Sequence, residues 1–195
     1  MPRSSSRDLA LVAVFAGIVA ALGAVPAFTP PGFSVPITAQ SLGVMLAGSV
    51  IGARRGASAL LLFLALVAAG LPLLSGGRGG LGVFAGSSVG FLVGFPVAAF
   101  VIGWLTTRLG APYTLVGGLV ANLVGGLVLL YVFGAAGLAL VLQISPAAAA
   151  TALWIYLPGD LVKVVVAAFV ARGVHAAYPG LLEGRTRERQ DAPVA

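Results

Sequence analysis

Charge is what this chain has least of. Only 8% of its 195 residues are Asp, Glu, Lys or Arg, five acids and eleven bases in all. An ordinary soluble domain is roughly a quarter charged. A water-facing surface cannot be built from so few charges, which excludes a soluble enzyme, a nucleic-acid module and a disordered tail. Cysteine is absent, so disulfides, thiol nucleophiles, Fe–S clusters and thiolate zinc sites are excluded too. His175 is the only histidine, and a multi-histidine metal site cannot form. With so few side chains that transfer protons, transport, binding or scaffolding is favoured over catalysis, and no cofactor is expected.

Apolar surface is what the chain has in excess. Hydrophobic types make up 59% of it, and the mean hydropathy is +1.10. Most of the chain must face lipid. The net charge of +6 does not signal nucleic acid, because the arginines stand at the ends of apolar runs, as membrane topology requires. These runs predict an all-α integral membrane protein with six spans, at about residues 9–25, 38–53, 56–69, 83–105, 113–133 and 147–170. The second and third are short against the ~20 residues of a bilayer crossing. The first run starts after Asp8, continues past what a secretory peptide needs, and is followed by more; it is expected to be a span. Pro26, Pro30, Pro31 and Pro36 make residues 26–37 a loop rather than a helix. Residues 75–82 form a glycine loop, and residues 134–146 are expected to be a short interfacial piece.

Six spans put both termini on one side. Nine of the ten arginines then lie on that side, and the positive-inside rule makes it the cytoplasm. A multi-pass protein of the cytoplasmic membrane follows, with a polar segment at 1–7, one six-helix membrane domain at 8–173, and a basic tail at 174–195. Arg78, in the glycine loop, is the arginine left on the outer side.

The last span reads Trp154-Ile-Tyr-Leu-Pro-Gly-Asp160-Leu-Val-Lys163. Lys163 is the only lysine, and Asp160 the only acid well inside an apolar run. Three residues apart, they share a helix face. An isolated charge at membrane depth costs roughly 3 kcal/mol on insertion scales, and such residues usually line a pathway or a ligand site. Pro158-Gly159 is expected to open the helix just upstream. The plain alternative is a self-contained ion pair that fixes helix packing. As a functional pair, Asp160 supplies acceptors and Lys163 donors, suiting a neutral polar ring with N–H and C=O side by side.

Two sharper-looking motifs fail on context. Gly77-Arg-Gly79-Gly-Leu-Gly82 fits a dinucleotide fingerprint, which needs a strand and a parallel sheet. Gly86-Ser-Ser88-Val-Gly90 fits a hydrolase elbow, which needs a base; the only histidine sits at the opposite face. Ser87 and Ser88 remain hydrogen-bonding candidates, and His175 reads as an interfacial residue. Ala16-xxx-Ala20-xxx-Ala24 makes a smooth stripe on span one, for a partner or for internal packing. Gly86, Gly90 and Gly94 make a second, read as internal packing or close approach of a ligand.

Several segments together resemble one family. Val35-Pro-Ile-Thr-Ala-Gln-Ser-Leu-Gly-Val-Met-Leu-Ala-Gly48, Gly70-Leu-Pro72 with Gly76-Gly-Arg-Gly-Gly80, Gly90-Phe-Leu-Val-Gly-Phe-Pro96 and Leu157-Pro-Gly-Asp-Leu-Val-Lys163 resemble, in order, the BioY family. These are the biotin-specific S components of energy-coupling-factor transporters. The likeness covers roughly residues 8–173. Phe91 departs from it, standing where many members carry tyrosine, so one hydroxyl contact is missing or replaced. The resemblance implies six membrane helices, an outward-facing biotin pocket, and a partner module of one transmembrane coupling protein and two ATPases. It implies that Ala16, Ala20 and Ala24 meet the coupling protein, and that Asp160 and Lys163, with Gln40, Arg78 and Phe91, meet biotin.

The residue chemistry agrees. Asp160 can accept from the ureido N–H groups and Lys163 can donate to the ureido oxygen. Phe91 and Tyr156 can wall the fused ring, and Arg78 with glycine-loop N–H groups can hold the carboxylate. Three other readings stay open: an S component for another vitamin, an intramembrane enzyme using Asp160, and an assembly protein without a ligand.

Overall fold

The structure, a computed structural model, describes residues 6–109, 113–179 and 181. The expected tail arginines Arg185, Arg187 and Arg189 and most of the segment 1–7 lie outside the described residues. Among those described no strand forms. Eight α-helices follow in order: α1 Ser6–Gly23, α2 Gln40–Ile51, α3 Ala53–Ala68, α4 Val89–Leu109, α5 Leu115–Ala121, α6 Leu130–Leu142, α7 Pro146–Ala152 and α8 Leu157–Ala177. A π-helical stretch, Asn122–Leu129, joins α5 to α6, and a 3₁₀ turn, Leu153–Tyr156, joins α7 to α8. The segments therefore make six rods. Four of these are long and apolar enough to cross a membrane: Ser6–Gly23, Val89–Leu109, Leu115–Leu142 and Pro146–Ala177. Their outer faces leave Phe100, Trp104, Val132, Leu140 and Phe169 more than 40% exposed, a surface suited to lipid rather than water.

α2 is the central and the shortest rod. Nine of its twelve residues are buried, between α1, α3, α4 and α8. Twelve residues span about 18 Å, well short of a ~30 Å hydrocarbon core. Its far end stops at Gly52, whose φ of 83° favours glycine and lets α3 turn back at once. Arg55 then fastens this end: its guanidinium lies 2.7 Å from the Asp8 carboxylate and donates to the Leu181 carbonyl.

Boundaries shift by a few residues throughout, the last rod running to Ala177 rather than 170, and three differences from the sequence reading have a physical reason. The fourth rod begins at Val89, not 83, because Leu81–Ala85 is a 3₁₀ turn after the glycine loop. The fifth continues to Leu142, so residues 134–142 are helix rather than an interfacial piece. Gly134 and Gly137, which look like helix breakers, are packing positions here. A Cβ on Gly137 would lie 2.5 Å from the Gly90 nitrogen, and one on Gly94 would lie 2.9 Å from the Phe133 Cβ. Gly90 and Gly94 thus serve internal packing of α4 on α6, as small residues do between membrane helices; Gly86 lies outside the helix. Pro158 does not open the last rod. It sits in the first turn of α8, where its missing N–H is harmless, and the change of helix type falls one turn earlier.

Candidate functional site: a polar cavity above the short central helix

Asp160, Lys163, Gln40, Arg78, Phe91, Tyr156 and Ser88, the seven residues singled out for a ligand, border one cavity of about 70 Å³. It lies at the N-terminal end of α2, where that helix stops short and residues 35–38 cross over it. Past Pro36 and Arg78 lies a vestibule of about 530 Å³ between the proline loop and the glycine loop.

The polar end of the cavity is a closed network. The Lys163 Nζ donates to the Asp160 Oδ1 at 2.8 Å, the Thr38 carbonyl at 2.6 Å and the Ser41 Oγ at 3.0 Å. An ammonium has three protons, and each has an acceptor. Asp160 also accepts from Ser41 at 3.4 Å on Oδ1 and from the Tyr131 hydroxyl at 2.9 Å on Oδ2. The pair is deep, with side chains 11% and 16% exposed for Asp160 and Lys163, so water screens it little.

The walls are apolar. Phe91, Leu92, Phe95, Leu74 and Leu130 line them, and the Phe91 ring lies over Gly134, where a Cβ would strike it. Tyr156 is buried and donates to the Val35 carbonyl at 2.6 Å, with Phe33 set edge-on to its ring. Ser88 is 8% exposed, and its hydroxyl has no hydrogen-bond partner among the described residues. A buried hydroxyl without a partner is costly unless something else meets it.

Gln40 borders the cavity but its amide is fully occupied by protein. It donates to the Val19 and Leu73 carbonyls and accepts from the Ser75 N–H. It thereby ties α1, α2 and the glycine loop together. Arg78 is exposed at the cavity mouth, its Nε donating to the Ser75 carbonyl across a tight turn.

Ala16 is not on the surface. It is 4% exposed, inside the core where α1 packs on α2 and α3, and Ala20 is half-buried; Ala24 is exposed at the outer end. The small residues that α1 leaves open are Ala10, Ala13, Gly17 and Ala21. Spacing alone gives the stripe but not which way it faces. His175 is likewise not a plain interfacial residue: it is buried, its Nε2 lies 2.8 Å from the Ser49 carbonyl, and it stacks on Tyr113 at 4.9 Å.

Sequence reasoning missed Tyr131, Ser41 and the Thr38 carbonyl. A signal existed for the first: Tyr131 is the only hydrogen-bonding side chain between Asn122 and Gln143. It follows the π-helical stretch, a feature frequent at functional sites. There Asn122, fully buried, donates to the Gly118 carbonyl and accepts from Ser49. Gly126 within that stretch forms part of the cavity wall, against Met45.

The sequence profile of the BioY family matches residues 1–180. A biotin transporter BioY of Rhizobium etli is 50% identical over 181 residues, covering 90% of this chain and 96% of its own. One of Rhodobacter capsulatus is 49% identical over 189 residues, covering 92% and 98%. Among solved structures, the S-component for biotin from an ECF-type ABC transporter superposes with a TM-score of 0.82 at 28% identity, covering 90% of this chain and 94% of that one. This chain, an all-helical multi-pass membrane protein, belongs to the BioY family.

Proposed function

We propose that this chain captures biotin at the outer face of the cytoplasmic membrane and hands it inward as the S component of an energy-coupling-factor importer. Six crossings with cytoplasmic termini fit the arginine distribution, with α2 and α3 as short spans. The observation that carries the reading is the Asp160–Lys163 pair at the end of an otherwise apolar cavity. Its acceptors and donors match the two N–H groups and one C=O of a ureido ring, and its walls match the fused ring. The ring takes the inner cavity, and the chain runs toward the vestibule, where Arg78 meets the carboxylate. Ser88 supplies the remaining hydroxyl. The formal dinucleotide match in the glycine loop has no strand before it among the described residues, and energy comes from two partner ATPases through a coupling protein. The coupling protein meets the open face of α1, at Ala13, Gly17 and Ala21, rather than Ala16.

Biotin binding by the purified protein tests this. Wild type is expected to bind tightly, and Asp160→Asn and Lys163→Ala to bind at least tenfold more weakly. Undiminished binding by both variants would remove the site, and no binding by well-folded wild type would remove the ligand.

A further inference from the structure

The same cavity selects the charge of the ring it takes; this step rests on its reading as a biotin site. The titratable side chains lining it are Asp160, Lys163, Tyr131, Tyr156 and Arg78. Asp160 is the only acid among them. Its Oδ1 is already met by Lys163 and Ser41, and its Oδ2 by Tyr131. Its charge is cancelled by an ammonium 2.8 Å away, and the remaining lining charge, Arg78, is positive. A cationic ring entering here finds no carboxylate free to neutralise it, and burying an unpaired charge is strongly unfavourable.

Lys163 makes the discrimination local. A cyclic urea presents an oxygen that Lys163 can donate to, in exchange for the Thr38 carbonyl or the Ser41 hydroxyl. A cyclic guanidine has the same shape, but when protonated it carries an N–H donor where the urea has its oxygen. Two positive donors then face each other, in a cavity whose polar end holds one carboxylate shared among three donors. We infer that Lys163 is a specificity-determining residue that admits neutral cyclic ureas and excludes their protonated guanidine counterparts.

The probe is 2-iminobiotin, which differs from biotin only in an imine nitrogen for the urea oxygen and is a guanidinium at neutral pH. It competes against labelled biotin on the wild-type protein. At pH 7 it is expected to bind more than a hundredfold more weakly than biotin. Only the neutral form is admitted, so the gap closes by about tenfold per pH unit from pH 7 to 9 as that form accumulates, while biotin itself serves as the control for protein titration. Binding within a hundredfold of biotin at pH 7, or a gap that stays flat with pH, overturns the inference. Lys163→Met frees Asp160 to pair with the guanidinium. It is expected to reverse the preference and abolish the pH slope; an unchanged ratio and slope in a folded variant would overturn the role of Lys163. If that variant does not fold, Lys163→Gln, which keeps a neutral donor to the Thr38 carbonyl and removes the charge, takes its place with the same expected loss of slope and the same refuting result. Wild type that binds biotin but fails these criteria rejects this inference alone, whereas wild type that binds no biotin rejects the biotin reading beneath it.

Discussion

Replacing Lys163 by alanine removes an ammonium that donates to three oxygens and leaves the Asp160 carboxylate beside an apolar wall. Breaking a buried pair by deleting one partner costs roughly 3–5 kcal/mol. The lower end applies here, about 3 kcal/mol, because Ser41 and Tyr131 still donate to the carboxylate. Asp160→Asn is milder, about 2 kcal/mol, since Lys163 keeps the Thr38 carbonyl and Ser41. The double variant Asp160→Asn with Lys163→Met has no net charge left to bury. Its stability is expected to recover past that of Lys163→Ala to about 1–2 kcal/mol below wild type, the remainder being the Thr38 carbonyl left without its donor. Biotin affinity is not expected to return with it. Two charge-assisted hydrogen bonds to ligand are lost, each about 1.5 kcal/mol or more, which makes roughly a hundredfold or greater weakening. Thermal unfolding in detergent reads the first quantity and titration calorimetry with biotin the second. A double variant that binds biotin within tenfold of wild type would reduce the pair to a packing device and refute the site. Single variants as stable as wild type would refute the burial on which the magnitudes rest.

Tyr131→Phe removes the hydroxyl that donates to the Asp160 Oδ2; stability is expected to fall by about 1–2 kcal/mol and biotin affinity about tenfold, and an unchanged affinity would take Tyr131 out of the site. Ser88→Ala deletes a buried hydroxyl that has no partner, so stability is expected to hold or rise by up to about 1 kcal/mol while biotin binding weakens; a clear loss of stability would show that the hydroxyl is already satisfied. Gly90→Val drives a Cβ into the Phe133 carbonyl and Gly137, and is expected to prevent folding, read as loss of a monodisperse elution peak. At Gly17 a Cβ meets nothing within 4 Å, so Gly17→Leu is expected to fold and bind biotin normally yet fail to co-purify with a coupling module; intact co-purification would move the docking surface elsewhere.

How much of this was legible depended on how rare each residue type is in its setting. Asp160 and Lys163 stood out because charges inside an apolar run are few. The long rods stood out because apolar runs are interrupted by arginine and proline. Tyr131 and Ser41 did not stand out, because they reach Asp160 from positions 29 and 119 residues away, and neither type is unusual in a helix. Glycine was the most misleading letter. Gly134 and Gly137 resemble breaks in a linear reading, and only the approach of α4 shows that they are contacts. Gln40 shows the limit of a family motif: the motif marks a position that matters without saying whether its amide meets the ligand or the fold. Ala16 shows the limit of spacing, which defines a helix face but not its orientation.

The ligand reading and the fold meet at the short α2. A helix of twelve residues leaves the chain to finish its path as irregular backbone beside apolar rods, and such backbone must find its hydrogen bonds locally. Four prolines in residues 26–37 help by removing N–H groups that would need acceptors. The carbonyls still need donors, and three of those donors come from around the cavity: Ser87 to Ser34, Tyr156 to Val35, and Lys163 to Thr38. Two of these donors, Lys163 and Tyr156, also line the cavity itself. A ureido oxygen that reaches Lys163 therefore does not gain a new hydrogen bond outright; it competes with a backbone carbonyl or with Ser41 for a proton already in use. Its net contribution is the difference between the two partners, about 1.5 kcal/mol at the low end for a charged donor, rather than the larger value of an isolated bond. Tight binding must then come chiefly from burying the ring against Phe91, Leu92 and Phe95, with the polar network deciding which ring is admitted.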